Sequence, residues 1–245
     1  VALGTSLLTS LSRASAQNDT KQFSKELIIS LKIGLFFSIP AAFVFIFYNE
    51  LIIKILFERG EFTFNETKQT SVALLAYSLG IPAFIMTKSC QPAFLATGNT
   101  KTPMFVGFIL LILNIILSFV LMSFLNHVGI ALATSLVSWI GTLIYMILLI
   151  KNKKLTKPKF SLKKQELNLF SVIFYGLKTT FVSSLMIISM KLLQYPLEIF
   201  DLKEIFILII LCITGFFVYV FTSLIFKNIP QELYDFIYFK FKKAK

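Results

Sequence analysis

Acidic groups are scarce in this chain: twelve Asp and Glu stand against twenty-four Lys and Arg, with one histidine and two cysteines. Two cysteines without histidine or acidic neighbours at ligand spacing exclude a cysteine-rich metal centre and a disulfide framework. Cys90 and Cys212 both fall inside apolar runs and are expected to be buried, behaving as small apolar groups. The lone histidine, His127, sits in a short loop. Within the apolar runs there is no carboxylate pair, nucleophile–base arrangement or metal cluster, which argues against an enzyme. Charged residues make up only 15% of the chain against 56% hydrophobic, and mean hydropathy is +0.81. Those values exclude an ordinary soluble domain.

Long apolar runs are what the chain has in quantity. Leu31–Phe47, Val72–Phe94, Phe105–Leu125, Ile130–Ile150, Leu167–Leu193 and Ile205–Phe226 each approach or exceed the ~20 residues that cross about 30 Å of hydrocarbon. Val1–Leu11 is apolar but too short to cross. The fold class expected is therefore all-α, a polytopic transmembrane helical bundle. The chain starts with Val1, part way into an apolar segment, and reads as a fragment lacking its N-terminal portion. A formal net charge of +12 would suggest nucleic acid for a soluble protein. Here the cations lie in connections and the tail, so membrane lipids with anionic headgroups are the expected partner and nucleic acid is not.

Lysines cluster in every second connection. Arg13, Lys21, Lys25 and Lys32 follow the first short segment, Lys101 follows the third, and seven lysines fill Lys151–Lys164. The tail adds Lys240, Lys242, Lys243 and Lys245, whereas Glu58–Glu66 and Tyr195–Glu204 are acidic or mixed. Cationic loops resist translocation, which sets the long lysine link and the C-terminus in the cytoplasm. Residues 151–166 form a basic link carrying Pro158, and Gln231–Lys245 mixes aromatic and cationic residues as interfacial helices do. Pro40, Pro82 and Pro92 fall inside apolar runs, where proline frees a carbonyl and bends a helix.

Two ionisable residues lie well inside these runs, Lys88 and Lys178. A charge at that depth costs a few kcal/mol unless it faces a cavity, pairs or snorkels. Lys88 lies about nine residues from the cytoplasmic helix end near Gly98, roughly 13 Å along a helix, so a hydrated interior suits it better than snorkelling. Such a cation would attract a phosphate; a bond to a backbone carbonyl is the other reading. Asn114 and Ser118 lie one turn apart, and Thr134 lies across a turn near residue 127. Counted from that turn, Asn114 and Thr134 differ in level by about 9 Å. Their oxygens suit either a hard cation such as sodium or interhelical hydrogen bonds.

Four strings in order resemble the MurJ (MviN) family of flippases for the lipid-linked peptidoglycan precursor. They are Val1–Ser12, Leu56-Phe57-Glu58-Arg59-Gly60-Glu61-Phe62, Ala93–Pro103 and Gly129-Ile130-Ala131-Leu132-Ala133-Thr134-Ser135. Asn99 stands where the family usually has Asp. The resemblance implies fourteen helices in two six-helix lobes plus two extra C-terminal helices, of which this chain supplies the C-terminal lobe in part and the extra pair. Residues 1–150 would run from the end of helix eight to helix twelve, 167–227 would be helices thirteen and fourteen, and 228–245 an interfacial tail. The extra pair would border a groove for the lipid tail. Some family members are thought to bind sodium; the resemblance transfers that role to Asn114, Thr134 and the Ile130 carbonyl, with Ser118 standing where the family has Asp. No other cofactor is implied. The expected function is alternating-access transport of the lipid-linked precursor in the bacterial cytoplasmic (inner) membrane. Another polysaccharide or drug exporter of the same superfamily, or a truncated non-transporting membrane protein, is the alternative.

Overall fold

The computed structural model describes residues 2–151, 168–199 and 202–230. The lysine link after Lys151 and the tail from residue 231 lie outside them. Every regular element among the described residues is a helix, in the order α1 (Ala2–Ala16), α2 (Thr20–Phe47), α3 (Asn49–Phe57), α4 (Phe64–Ser78), α5 (Ile81–Ala96), α6 (Lys101–Leu125), α7 (His127–Lys151), α8 (Leu169–Ile199) and α9 (Glu204–Ile225). Taking α4 and α5 together, six helices are long and apolar enough to cross a membrane.

Local signals set the ends of these helices. The Asp19 side chain accepts from the Gln22 N–H and caps α2, behind a turn in which Asn18 takes φ 54°. Thr63 and Glu66 form a reciprocal capping box on α4. At the end of α9, Lys227 adopts φ 48° and the Asn228 N–H reaches back 2.8 Å to the Ser223 carbonyl, a Schellman-type stop.

Helix α2 is the hub, packing on α1, α5 and α8. One core cluster joins Leu11, Phe23, Leu27 and Leu31 to Cys90, Phe94 and Tyr145. A second joins Phe36 to Val182, Met186, Leu211 and Tyr219. Lipid tails are as apolar as leucine, so packing and polar contacts must hold such helices together. Tyr219 meets both needs: its ring lies tilted against that of Phe36, centroids 5.1 Å apart, and its hydroxyl donates to the Phe36 carbonyl at 2.6 Å. Helix α6 is the outlier. Val106 is its one buried residue among those described, and Phe119 and Phe124 are 69% and 78% exposed.

Three expectations are corrected here. The span expected over Val72–Phe94 starts earlier, at Phe64, and crosses as two helices interrupted at Leu79–Gly80, beside the expected irregularity at Pro82. Cys90 is buried, but Cys212 lies on an outward face of α9 and is exposed. The connection expected around residue 60 is preceded by a separate nine-residue helix, α3. Lys54 on α3 pairs with Glu204 at the start of α9, and that hydrogen bond holds the Lys54 ammonium above its usual pKa of 10.5.

Candidate substrate route and cation site

The break between α4 and α5 leaves carbonyls that helical bonds no longer satisfy, because Pro82 has no N–H and the chain turns at Gly80. Helix α7 lays side-chain donors from one face along the break and the first turn of α5; Ala76 O has lost the Gly80 N–H, which bonds Tyr77 O instead, whereas Ala83 O lies within α5. Ser135 Oγ donates to Ala76 O at 2.6 Å, Trp139 Nε1 to Leu79 O at 3.0 Å and Thr142 Oγ1 to Ala83 O at 2.8 Å. Positions 135, 139 and 142 follow the spacing of one helical stripe. The approach is so close that a Cβ on Gly80 would fall 2.8 Å from Ser135 Cα, so the break requires glycine there.

The broken span, α2, α7 and α8 enclose an apolar cavity of about 370 Å³ lined by Leu35, Ile39, Pro82, Trp139, Val172 and Gly176, among others. A second cavity, about 470 Å³, continues along α2 and α8 past Phe43, Ser184 and Ile188 to Lys191. Phe43 lines both. The two cavities lie one after the other along α2 and α8, on linings that no run of neighbouring residues in the sequence could have announced.

Lys88 lies on an exposed face of α5 together with Phe84 and Leu95. Its ammonium sits 5.4 Å from the centre of the Phe84 ring, reaching back towards the break rather than towards Gly98. No carboxylate among the described residues pairs with it. Helix α1, which packs against α5, exposes Arg13. Lys178 stands differently. Its Nζ donates to the Lys227 carbonyl at 3.2 Å, which sets it level with the C-terminal end of α9. Helix α8 runs 31 residues, about 46 Å and longer than the hydrocarbon is thick, so Lys178 need not lie deep within it. A cation on the last carbonyls also opposes the negative end of the α9 dipole.

The four sodium-site candidates come together. Ser118 Oγ donates to Asn114 Oδ1 at 3.5 Å, Asn114 Nδ2 to Thr134 Oγ1 at 3.3 Å, and Thr134 Oγ1 to Ile130 O at 3.0 Å. The 9 Å offset expected between Asn114 and Thr134 is corrected. Gly129 presses against α6 so closely that a Cβ there would fall 2.3 Å from Leu121 O, and α7 slides along α6 until the two residues are level. Every member of the set is neutral. As arranged, the amide N–H₂ faces Thr134; turning the amide would present Asn114 Oδ1, Thr134 Oγ1 and Ile130 O together, a donor set that fits a hard monovalent cation.

A family model described as "MurJ: Lipid II flippase MurJ" matches residues 1–200. The chain belongs to the MurJ family. A solved structure titled "Lipid II flippase MurJ, inward closed conformation" superposes with a TM-score of 0.69 at 31% identity, covering 93% of this chain and 43% of that one. The "Probable lipid II flippase MurJ" of Rickettsia prowazekii (strain Madrid E) is 39% identical over 135 residues, 55% of this chain and 27% of that protein. The "Lipid II flippase MurJ" of Thermosipho africanus (strain TCF52B) is 35% identical over 167 residues, 68% of this chain and 34% of that protein. The chain thus spans about a quarter to a third of the curated relatives it matches. MurJ membership and six long apolar helices make it a multi-pass membrane protein. The sequence pointed to Lys88, Lys178, the Asn114 group and, beside Thr134, Ser135; Trp139 and Thr142, whose helical spacing from Ser135 was the available signal, did not stand out in it.

Proposed function

We propose that this chain is part of a lipid II flippase, carrying the lipid-linked peptidoglycan precursor across the bacterial cytoplasmic membrane with its link and C-terminus on the cytoplasmic side. The supporting observation is Lys88. An unpaired ammonium on an outward face in mid-span costs a few kcal/mol against lipid, and far less against a hydrated passage. A fixed cation there complements a pyrophosphate. The prenyl tail remains in an apolar environment, for which the cavities along α2 and α8 are the available surface.

The chemistry is transport: no bond is made or broken, and residues act by holding the headgroup and exchanging sides. The break at Gly80 gives one span two segments that can tilt independently while α7 keeps the freed carbonyls bonded. Sodium coupling would act through Asn114, Thr134 and Ile130, close to that moving span. The test is photo-crosslinking in cells. A photoreactive residue at Lys88 should capture the lipid-linked precursor, whereas one at Phe119, on the outward face of α6, should capture bulk phospholipid only. Equal capture at both positions would refute the route.

A further inference from the structure

Helices α8 and α9 pack as an antiparallel hairpin, and the end of it at which α9 stops is polar inside. Asn228 Nδ2 donates to Thr179 Oγ1 at 3.1 Å, so Asn228 stands opposite Thr179. Further along, a Cβ on Gly215 would fall 2.6 Å from Met190 Sδ, so Gly215 stands opposite Met190. That register sets Ser183 opposite Ser223, and Ser183, Ser223 and Asn228 are all 0% exposed.

These three residues carry unmet hydrogen-bonding capacity. Ser183 Oγ, Ser223 Oγ and Asn228 Oδ1 are enclosed and make no hydrogen bond to the described residues. Their neighbours behave otherwise: Thr180, Ser184 and Thr222 each turn back to the carbonyl four residues earlier. Ser183 and Ser223 forgo that bond. Ser223 lies beside the Tyr219 hydroxyl, whose proton goes to Phe36 O at 2.6 Å. Asn228 cannot repair its acceptor by turning its amide, because Thr179 Oγ1 already gives its proton to Tyr175 O at 2.9 Å.

Polar atoms left unbonded are costly inside a helix pair that lipid surrounds. The set needs a small group that both accepts and donates. A water molecule accepts from both serine hydroxyls and donates to Asn228 Oδ1, about three bonds, the usual number for a buried water. Bonding at about 2.8 Å on either side, it spans about 5.5 Å, the helical turn between the Thr179–Asn228 and Ser183–Ser223 levels. A metal cation fits less well. No carboxylate joins the set, and Lys178 already places its ammonium 3.2 Å from the neighbouring Lys227 carbonyl.

We propose that Ser183, Ser223 and Asn228 bind a buried water that clamps the end of α9 to α8. The clamp fixes the peptide after α9, and with it the Lys227 and Asn228 carbonyls to which Lys178 and Tyr175 donate. It belongs to the hairpin alone and does not depend on the flippase reading.

The test is radiolytic hydroxyl-radical labelling of the chain in detergent, read by mass spectrometry. A bound water delivers radicals to side chains that bulk water does not reach. Tyr219 and Tyr145 are both buried, and Tyr219 is the one beside Ser223. Tyr219 is expected to label several-fold faster than Tyr145, and Ser183→Ala combined with Ser223→Ala to remove the difference. In thermal unfolding each serine variant should melt about 2–4 °C lower, and the pair by less than the sum. Hydroxyls that bind nothing predict the reverse, since deleting one relieves a penalty and leaves melting unchanged or raised. Equal labelling of the two tyrosines, or serine variants as stable as the parent, would overturn the site. So would a sodium- or potassium-dependent melting temperature that Ser183→Ala abolishes, which would make the ligand a cation.

Discussion

The indole N–H of Trp139 donates to the carbonyl of Leu79, 3.0 Å away, at the point where one membrane span is interrupted. With Ser135 and Thr142 it turns α7 into a splint for the break between α4 and α5. Removing one donor leaves a carbonyl in a place without water. Ser135→Ala should therefore lower stability by about 1–2 kcal/mol, and Trp139→Phe, which keeps a ring but loses the N–H, by a similar amount. Gly80→Ala should cost more than either, because its Cβ meets backbone. Thermal unfolding in detergent checks the order; a Gly80→Ala protein as stable as the parent would contradict the close packing.

Much of this fold was legible from apolar runs, because each crossing helix must satisfy its backbone internally and needs about 20 residues to do so. Pro82 marked an irregularity but not what repaired it, since the donors lie over 50 residues away on α7. Counting residues from the turn misplaced Thr134 because the count ignores how closely Gly129 lets two helices approach. Helix α3 was hidden by its length, nine residues among mixed charges. Cys212 shows a further limit: an apolar run does not say which of its faces is covered. The family resemblance implied a groove beside the extra helix pair; which residues line the cavities on α2 and α8 came from tertiary packing.

The four-residue chain at the α6–α7 contact predicts coupling. Thr134→Val and Asn114→Leu should each destabilise by about 0.6–2 kcal/mol, and the double variant by less than their sum. If the set also holds sodium, replacing sodium with potassium should lower the parent's melting temperature and leave Thr134→Val unchanged. An equal shift in both proteins would leave only the interhelical bond.

Orientation is tested outside the membrane spans. In a background of Cys90→Ala and Cys212→Ala, single cysteines at Asn18 and Glu61 should label oppositely with an impermeant thiol reagent in intact cells, Glu61 reacting and Asn18 not. Equal labelling would overturn the topology.

The Lys54–Glu204 pair joins α3 to α9, and the hydrogen bond to Glu204 raises the Lys54 pKa. A raised folded-state pKa means that the contribution is fully present below the unfolded value of 10.5 and fades as pH climbs through the higher folded value. Both side chains are partly exposed, so the effect should be small. Melting of the parent and Lys54→Met should differ at pH 8 and converge above the raised pKa. A gap that widened with pH would show the wrong sign.

The flippase reading requires Lys88 to line a hydrated route for an anionic headgroup. The gene encoding this chain, carrying Lys88→Met or Lys88→Arg, is placed in cells depleted of their own lipid II flippase, and membrane abundance is measured alongside growth. Normal abundance is expected for both variants, with failed rescue by Lys88→Met and substantial rescue by Lys88→Arg. Full rescue by a normally abundant Lys88→Met protein would contradict it.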